Sequence, residues 1–513
     1  MLKLSELFFY MFFSLILFAK GIGLYDGRKG MKIFLIAAGV AWICKMLLTE
    51  YDSLTEVLVY TVLIILAAMT CLISHEKGAF FCIMLICGMK NMDVRKVFKN
   101  GLIIWSISFG SMFVFTSLHI IPCTFKVHDR IGMGRIIRWG LGQPHPNVLH
   151  ISYMVLACLI IYWIKDNMHW KALAFLMMGN LFVYMYSLSN TGFLVVTFLI
   201  LLVTARKIRG HLSLFALGLS QICIPVCLLI SFAAPVMLKG RAFDILNSAL
   251  NTRLALSKFF LENQKMSLFG TDTSGIVTST ITMDNSYLYA LVTYGVVFSI
   301  IIYCLYVITI YEMMRRDEEI PLIIVITCML AGITEPFLFN TSFKNITLIF
   351  VGAELGRIFV GKSKRKIKII KDKILDISVP GMKLCIDNIL KAICLNRVKI
   401  MVISLSCAAV MAAMTYVTSD MPKRYILPRK AFEYTDDLPD SYYLKSKNDF
   451  PADGDKVLGY ESSDTDMVAF SGNIAIVERF RNTVSVFIYG FILITFVGGV
   501  VVNMGVKKNE RSE

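Results

Sequence analysis

A succession of long apolar stretches constrains the fold of this chain more than any other feature. About fourteen windows resemble membrane helices, each of which needs roughly 20 mostly apolar residues. Of the 513 residues, 57% are hydrophobic and only 17% are charged, whereas a soluble domain is about 45–50% apolar and about 25% charged. The sequence therefore predicts an all-α integral membrane protein whose chemistry lies in its helices and connecting loops.

The charges between the apolar windows predict how the chain is oriented in the membrane. The predicted spans are 6–24, 32–48, 54–74, 78–90, 100–121, 147–164, 170–187, 191–205, 213–236, 285–311, 319–335, 344–360, 399–417 and 483–506. With the N-terminus inside, the large basic loops face the cytoplasm, as the positive-inside rule requires, although the short loops GRKG and TEYDS do not fit it. The large basic loops contain Lys90–Lys99, Arg206–Arg209, Arg315–Arg316 and Lys362–Lys373.

This orientation divides the chain into three predicted parts. Residues 1–360 form a polytopic core with outer loops at 122–146 and 237–284. Residues 361–398 form a basic cytoplasmic linker, in which MKLCIDNILKAIC predicts an amphipathic helix on the inner membrane surface. Residues 399–513 form a transmembrane hairpin with an extracellular loop at 418–482. Because the basic residues cluster beside the membrane, the net charge of +16 indicates contact with membrane lipids and no nucleic-acid partner.

The sequence predicts neither a metal site nor a cofactor. Its thirteen cysteines are scattered, mostly within apolar runs, and no CxxC spacing or disulfide framework is apparent. Asp464 and Asp466 have the DxD spacing with which many nucleotide-sugar transferases hold a metal, but the chain lacks the nucleotide-binding α/β domain that those enzymes need.

The first outer segment, 122–146, is rich in arginine and glycine. Arg130, Arg135 and Arg138 lie close together in the sequence, and His145 and Asn147 follow at the start of the next span. Arginine suits a phosphate because its planar fork donates paired hydrogen bonds and stays charged. Lipid headgroups would satisfy these arginines equally well. The prolines on both sides of His145 predict that it lies outside a helix interior.

The second outer segment, 237–284, contributes Arg241 and Arg253. A near-helical spacing of leucines predicts a helix here. These leucines are Leu246, Leu250, Leu254 and Leu261. Arg253 stands among apolar neighbours, so we expect it to contact an anion.

Two acids lie at ends of predicted spans. Asp284, followed by Asn285, stands directly before an apolar run and is suited either to capping the new helix or to acting as a general base that faces the arginines. Glu335 ends a span beside Pro336. An acid at that depth is a functional candidate, although capping or pairing with an arginine explains it as well.

Five short motifs in a fixed order carry a family resemblance. They are RWGLGQPHPN (138–147), SLSNTG (187–192), LNSALNTRL followed by LFG (246–270), DNSYLYALVTYG (284–295) and GITEPFLFN (332–340). In this pattern the chain resembles the O-antigen polymerase and ligase superfamily, and within it the Wzy-type polymerases of capsular or exopolysaccharide repeat units. The resemblance covers roughly residues 1–360, so the C-terminal hairpin lies outside it.

The resemblance implies an inverting, metal-independent glycosyltransferase with a 12-helix core of the GT-C type. It would act on undecaprenyl-diphosphate-linked sugars at the outer face of a bacterial plasma membrane. Relatives that act as ligases carry His-Asn where this chain has Asp284-Asn285, so Asp284 becomes the expected base. Arg138 and Arg253 would stabilise the departing diphosphate. Further substrate or diphosphate contacts would come from Arg135, Arg241, His145, Asn147, Asn285 and Glu335.

Other readings of the same sequence stay open. A ligase that transfers glycan to a lipid, wall or protein acceptor would have the same architecture and chemistry. A transporter of lipid-linked sugars would instead place polar residues along the midplane of many helices, and a structural or sensory protein needs no site at all. Many relatives carry arginine at the position of Asn190, so the resemblance assigns no site residue to the SLSNTG turn. The layout of the C-terminal hairpin also leaves open a contact with a chain-length regulator.

Overall fold

The computed structural model of the protein describes a chain that is mostly helical. It describes residues 2–25, 29–117, 120–121, 124–130, 134–276, 282–360, 366–375, 397–419, 424–428, 443–444, 455–457, 467–470 and 474–509. The chain forms two compact units. The first comprises Met1–Phe125 and Trp139–Leu375, and the second comprises Lys126–Arg138 and Asp376–Glu513.

The helices follow most of the predicted apolar windows. Those of the first unit are α1 (Leu4–Gly21), α2 (Lys29–Leu48), α3 (Leu54–Ser74), α4 (Gly78–Gly88), α5 (Val94–Ser117), α6 (Pro146–Trp163), α7 (Trp170–Ser187), α8 (Asn190–Arg209), α9 (Leu214–Leu228), α10 (Ala234–Met237), α11 (Gly240–Ala249), α12 (Arg253–Asn263), α13 (Ser286–Tyr289), α14 (Gly295–Arg315), α15 (Glu319–Ala331) and α16 (Leu348–Ile358). Those of the second unit are α17 (Arg397–Thr418) and α18 (Ile474–Asn509).

Within the described ranges, ten helices are long and apolar enough to cross a membrane, and α4 and α15 are shorter apolar helices. The protein is therefore an all-α, multi-pass membrane protein, and the count of fourteen spans stays a prediction. Three of the predicted spans are short: α4 has 11 residues, α15 has 13 and α16 has 11. At about 1.5 Å per residue, helices of these lengths do not reach across a hydrocarbon core of about 30 Å.

Two predicted helices are shortened or divided in the structure. The predicted span 319–335 ends early, at Ala331, and the next α-helix begins only at Leu348. The loop between them includes Glu335 and Pro336, and a proline both lacks an amide hydrogen and disfavours helix at the residue before it. The leucine-rich stretch of the second outer segment is also divided, because a turn at 250–252 separates α11 from α12.

The core of the first unit surrounds α15, in which eleven of the thirteen side chains are buried. Helix α15 packs against α6, α8, α9 and α14, while α4 packs against α2, α3 and α16. Helices α2 and α3 instead expose large apolar side chains such as Ile33, Ile36 and Leu72. Apolar residues on an outward face are expected where a helix contacts lipid.

The described part of the basic linker pairs with the chain before α1 and α3. Strand β5 (Ile367–Lys368) pairs antiparallel with β2 (Glu50–Tyr51), and β6 (Ile374–Leu375) pairs with β1 (Leu2–Lys3). The amphipathic helix predicted around MKLCIDNILKAIC lies outside the described residues.

In the second unit, α17 and α18 pack against each other. The chain between them forms a four-stranded sheet in the order β8-β10-β7-β9, from Tyr443–Leu444, Met467–Phe470, Arg424–Pro428 and Asp455–Val457. The first outer segment adds an antiparallel hairpin of β3 (Phe125–Arg130) and β4 (Gly134–Trp139). Asp464 and Asp466 lie outside the described residues.

Candidate functional site

The candidate site is organised around Arg253, the first residue of α12. A tight turn leads into this helix, and two of its residues, Asn251 and Thr252, have left-handed φ values of 51° and 68°. Such a conformation is tolerated by asparagine but is unusual for a β-branched threonine, and strained backbone often occurs at functional sites. Asn247 stabilises the new helix because its Oδ1 accepts from the Ala255 amide at 2.9 Å.

Helix α12 packs Arg253 toward the segment that carries Asp284. Its buried residues are Arg253, Leu254, Ser257 and Phe260, which recur at helical spacing on one face. Phe260 belongs to an apolar cluster with Met283, Leu288 and Val292. Because Met283 directly precedes Asp284, this apolar contact fixes the register between the arginine and the acid.

Asn285, and not Asp284, caps the helix that follows. The Asn285 Oδ1 accepts from the amides of Tyr287 and Leu288 at 2.9 and 3.0 Å, and its Nδ2 donates to Ser231 Oγ at 2.9 Å. This cap leaves the carboxylate of Asp284 available. Among the described residues, the Asp284 side chain makes one polar contact, with Arg253, and it keeps 27% of its surface exposed. A contact of Asn285 with substrate stays a prediction.

Ser286 ties the start of α13 to the loop after α15. Its amide donates to the Gly332 carbonyl at 2.8 Å, and its hydroxyl donates to the Glu335 carbonyl at 2.6 Å. The same hydroxyl accepts from the Leu338 amide at 3.2 Å. Nothing in the sequence identified this residue in advance, although its hydrogen bonds bring the two predicted acids into one site.

One guanidinium therefore faces two carboxylates. Arg253 Nη2 lies 3.3 Å from Asp284 Oδ2 and 3.9 Å from Glu335 Oε1, and the Arg253 side chain is only 10% exposed. Its Nη1 donates to the Asn251 carbonyl at 2.9 Å and its Nε donates to the Thr334 carbonyl at 3.4 Å. The arginine is thus held from several sides. Of the two acids beside it, Asp284 is the more accessible to solvent.

Lys344 adds a buried cation that was not among the predicted site residues. It is 3% exposed, and its Nζ donates to Gln143 Oε1 at 3.3 Å and to the Val148 carbonyl at 3.4 Å. Lys344 lies in the loop between α15 and α16. Burial, together with repulsion from Lys20, lowers the pKa of its ammonium to about 7, although attraction to Glu335 acts in the opposite direction. A charged residue at the first position of a predicted apolar span, 344–360, was the signal that could have identified it.

A break in the helix after Asp284 explains the LFG and TYG motifs. The chain from α13 passes through a π-helical turn at Ala290–Tyr294 to Gly295, whose φ is 88°. The amides of Val296 and Val297 donate to the carbonyls of Ser267 and Leu268 at 3.0 and 3.2 Å. A side chain at Gly295 would meet the Gly270 nitrogen at 2.4 Å. The loop of the second outer segment is therefore anchored at this break.

The remaining predicted residues of the first unit lie at helix starts. His145 is the N-cap of α6, with its ring accepting from the Asn147 amide at 3.2 Å, so it lies outside the helix interior as predicted. Gln143, two residues before it, reaches Lys344. Arg241 is exposed at the start of α11 and makes no ion pair with another described residue. Contacts of these residues with substrate stay predictions.

Arg138 and Arg135 lie in β4, within the second unit. The Arg138 side chain is buried at 5% exposure, and the side chain of Arg135 lies outside the described residues. The predicted roles of both arginines in stabilising a diphosphate stay predictions.

The SLSNTG motif forms a tight turn between α7 and α8, as predicted. Ser189 caps α8 by accepting from the Gly192 amide. Ser187 Oγ and Asn180 Oδ1 lie 2.9 and 2.7 Å from the two ring nitrogens of the buried His150. These contacts give the motif a packing role.

Within the part of the chain that the structure describes, no group of three or more His, Cys, Asp or Glu side chains could hold a metal ion. Comparisons with protein-family models, with curated proteins and with solved structures gave no match.

Proposed function

We propose that the protein is a membrane glycosyltransferase that joins undecaprenyl-diphosphate-linked oligosaccharide repeat units into a surface polysaccharide. The single observation that carries this proposal is the pairing of a partly exposed acid, Asp284, with a buried arginine, Arg253, at 3.3 Å. An acid free to take a proton, beside a fixed cation that can stabilise an anionic leaving group, is what inverting transfer from a lipid diphosphate requires.

In the proposed reaction, a hydroxyl of the acceptor repeat unit attacks the anomeric carbon of the donor chain. The hydroxyl proton passes to the Asp284 carboxylate as the new carbon–oxygen bond forms on the opposite face of the sugar. The bond between the anomeric carbon and the phosphate oxygen breaks, and its electron pair stays on the departing undecaprenyl diphosphate. The configuration at the anomeric carbon is inverted, and the proton later leaves Asp284 for solvent.

Arg253 would stabilise the charge that develops on the departing diphosphate. Its side chain is held by the carbonyls of Asn251 and Thr334, so it needs little reorganisation at the moment of reaction. Preorganised charge of this kind is commonly the largest contribution to catalysis. On the proposal, Arg241 adds charge outside this pair, and arginines take the role that a divalent cation has in other transferases.

The proposed orientation of the protein in the membrane follows the charge pattern of the sequence. The Asp284 site would face the outside of a bacterial plasma membrane, and the basic linker would face the cytoplasm. The donor and acceptor, both lipid-linked, would reach the site from the outer leaflet. The C-terminal hairpin would be available for contact with a chain-length regulator.

The proposal is tested by reconstituting the purified protein in lipid vesicles with undecaprenyl-diphosphate-linked repeat units. We expect a ladder of products that differ by one repeat unit, with release of undecaprenyl diphosphate and no loss of activity in a chelator. Transfer of glycan to a lipid, wall or protein acceptor without a ladder would identify a ligase. Movement of intact lipid-linked units across the vesicle, with no new glycosidic bond, would identify a transporter and contradict the proposal.

A further inference from the structure

Lys344 has fewer charged partners than another buried lysine of the chain, Lys90. Lys90 is similarly buried, at 2% exposure, but its Nζ contacts two carboxylates, Asp52 at 2.6 Å and Glu56 at 2.7 Å. Lys344 has no carboxylate within 4.0 Å among the described residues, and its two hydrogen bonds go to uncharged oxygens at 3.3 and 3.4 Å. Charge-assisted hydrogen bonds are usually shorter, about 2.7–2.9 Å.

A buried ammonium with two long contacts to neutral oxygens is poorly compensated for its lost hydration. Burying a charge without a partner is strongly unfavourable unless an ion or a dense set of hydrogen bonds replaces the water. One partner of Lys344 is itself held in place, because Gln143 is fully buried and its Nε2 donates to the Gly21 carbonyl at 3.1 Å. A buried and undercompensated cation is suited to pairing with an anion.

The position of Lys344 relates it to Arg253 through one carboxylate. Glu335 attracts Lys344 electrostatically and lies 3.9 Å from the Arg253 guanidinium. Lys20, another buried residue, repels Lys344. Glu335 thus attracts both cations, and the Asp284 carboxylate contacts the same Arg253 nitrogen, Nη2, at 3.3 Å. An incoming anion with two phosphate groups would compete with Glu335 for both cations.

We propose that Lys344 and Arg253 together form a binding subsite for the diphosphate of an isoprenoid-linked substrate, and that Glu335 is the internal carboxylate which this diphosphate displaces electrostatically. The inference rests on the proposed function for the identity of the ligand, and it extends that function by assigning Lys344 and Glu335 opposite effects on binding. If these two residues had only structural roles, substituting either of them would change the binding affinity in the same direction.

The test measures binding of farnesyl diphosphate and of inorganic pyrophosphate to the purified full-length protein in detergent, with farnesol as the uncharged probe. We expect Lys344→Gln to weaken binding of farnesyl diphosphate by at least about tenfold, and Lys344→Arg to restore most of it. Removing the competing charge in Glu335→Gln should tighten binding severalfold. If the subsite recognises the diphosphate alone, inorganic pyrophosphate should bind more weakly but rank the variants in the same order of affinity. Binding of farnesol should not depend on either residue.

A matched control is Lys45→Gln, which removes a different buried lysine. Lys45 donates to the Lys90 carbonyl at 2.9 Å, and we expect this variant to bind farnesyl diphosphate as the unmodified protein does. Unchanged binding in Lys344→Gln would overturn the inference, and so would weaker binding in Glu335→Gln. Failure of the proposed function can be distinguished from failure of this inference. If the protein binds diphosphate through Lys344 but forms no polymer, the subsite stands and the polymerase function is rejected.

Discussion

Arg253 is the residue on which both acids of the site converge. Its guanidinium is held by two backbone carbonyls and by Asp284, so its charge cannot be reproduced by a side chain of different shape. Its importance was predictable from the sequence, because a charged residue among leucines needs an anion as a partner. The two acids that it contacts, Asp284 and Glu335, are far apart in the sequence. The hydrogen bonds of Ser286 bring them together.

Replacing Arg253 tests the leaving-group role. We expect Arg253→Ala to lower polymer formation by about 10²–10³-fold, the range found when one preorganised donor is removed from a charged transition state. Arg253→Lys should recover only a small part of the rate, because lysine lacks the planar fork. The measurement is the initial rate of ladder formation in vesicles. Lys258→Ala, on the exposed side of the same helix, is the control and should retain its rate; equal rates in all variants would reject the role.

Lys344 predicts a pH dependence of diphosphate binding. Because its pKa is lowered to about 7, the side chain is charged at pH 6 and largely neutral at pH 8. Affinity for farnesyl diphosphate should therefore fall as the pH rises through about 7. In Lys344→Arg the side chain stays charged, so the remaining pH dependence is that of the ligand itself. The check is a series of dissociation constants from pH 5.5 to 8.5, and parallel profiles in the two proteins would contradict the assignment.

At the scale of the element, the site is built from interrupted helices. The stretch after Asp284 was predicted as one continuous span. It consists instead of α13, a π-helical turn and α14, with Gly295 at the break. Another π-helical turn, Leu229–Ala233, carries the Ser231 that receives the Asn285 side chain. Hydropathy reports only that such a stretch is apolar, so the breaks were not predictable from it. Such π-helical turns occur frequently at functional sites.

The break predicts a specific effect of glycine substitution. Gly295 combines a φ of 88° with a ψ of 171°, a region that is essentially restricted to glycine and costs other residues about 1–3 kcal/mol. Gly295→Ala should lower the thermal stability of the purified protein, since its Cβ would also meet the Gly270 nitrogen. Gly218→Ala, in α9 with nothing within 4 Å of the added carbon, is the matched control and should be neutral or slightly stabilising. Equal melting temperatures would contradict this account.

At the scale of the whole molecule, the sequence was most informative where long apolar runs dictate the structure. The helices from Leu54–Ser74 and Asn190–Arg209 agree with their predicted spans within a few residues. Short helices and the loop at 332–347 were predicted less well, because hydropathy averages over windows longer than these elements. The cap at Asn285 was also missed, since Asp284 and Asn285 are both good capping residues and only the geometry distinguishes them.

The orientation of the molecule gives a further prediction. We expect a cysteine introduced as Ser274→Cys, in the second outer segment, to react with a membrane-impermeant maleimide in intact cells. A cysteine introduced as His211→Cys, in the loop between α8 and α9, should react only after the membrane is opened. The unmodified protein measures the background from the natural cysteines. The reverse pattern would place the Asp284 site in the cytoplasm and contradict polymerisation on the outer face.

The most direct measurement of the central claim is the rate of polymer formation by Asp284→Asn in reconstituted vesicles. The amide keeps the size of the side chain but cannot take a proton, and loss of a general base lowers a rate by about 10²–10⁴-fold. Asp272→Asn, which changes an exposed acid of the same outer segment, should retain its rate. The account predicts single repeat units without a ladder from Asp284→Asn, with the protein present and folded in the membrane. A normal ladder from that variant would contradict it.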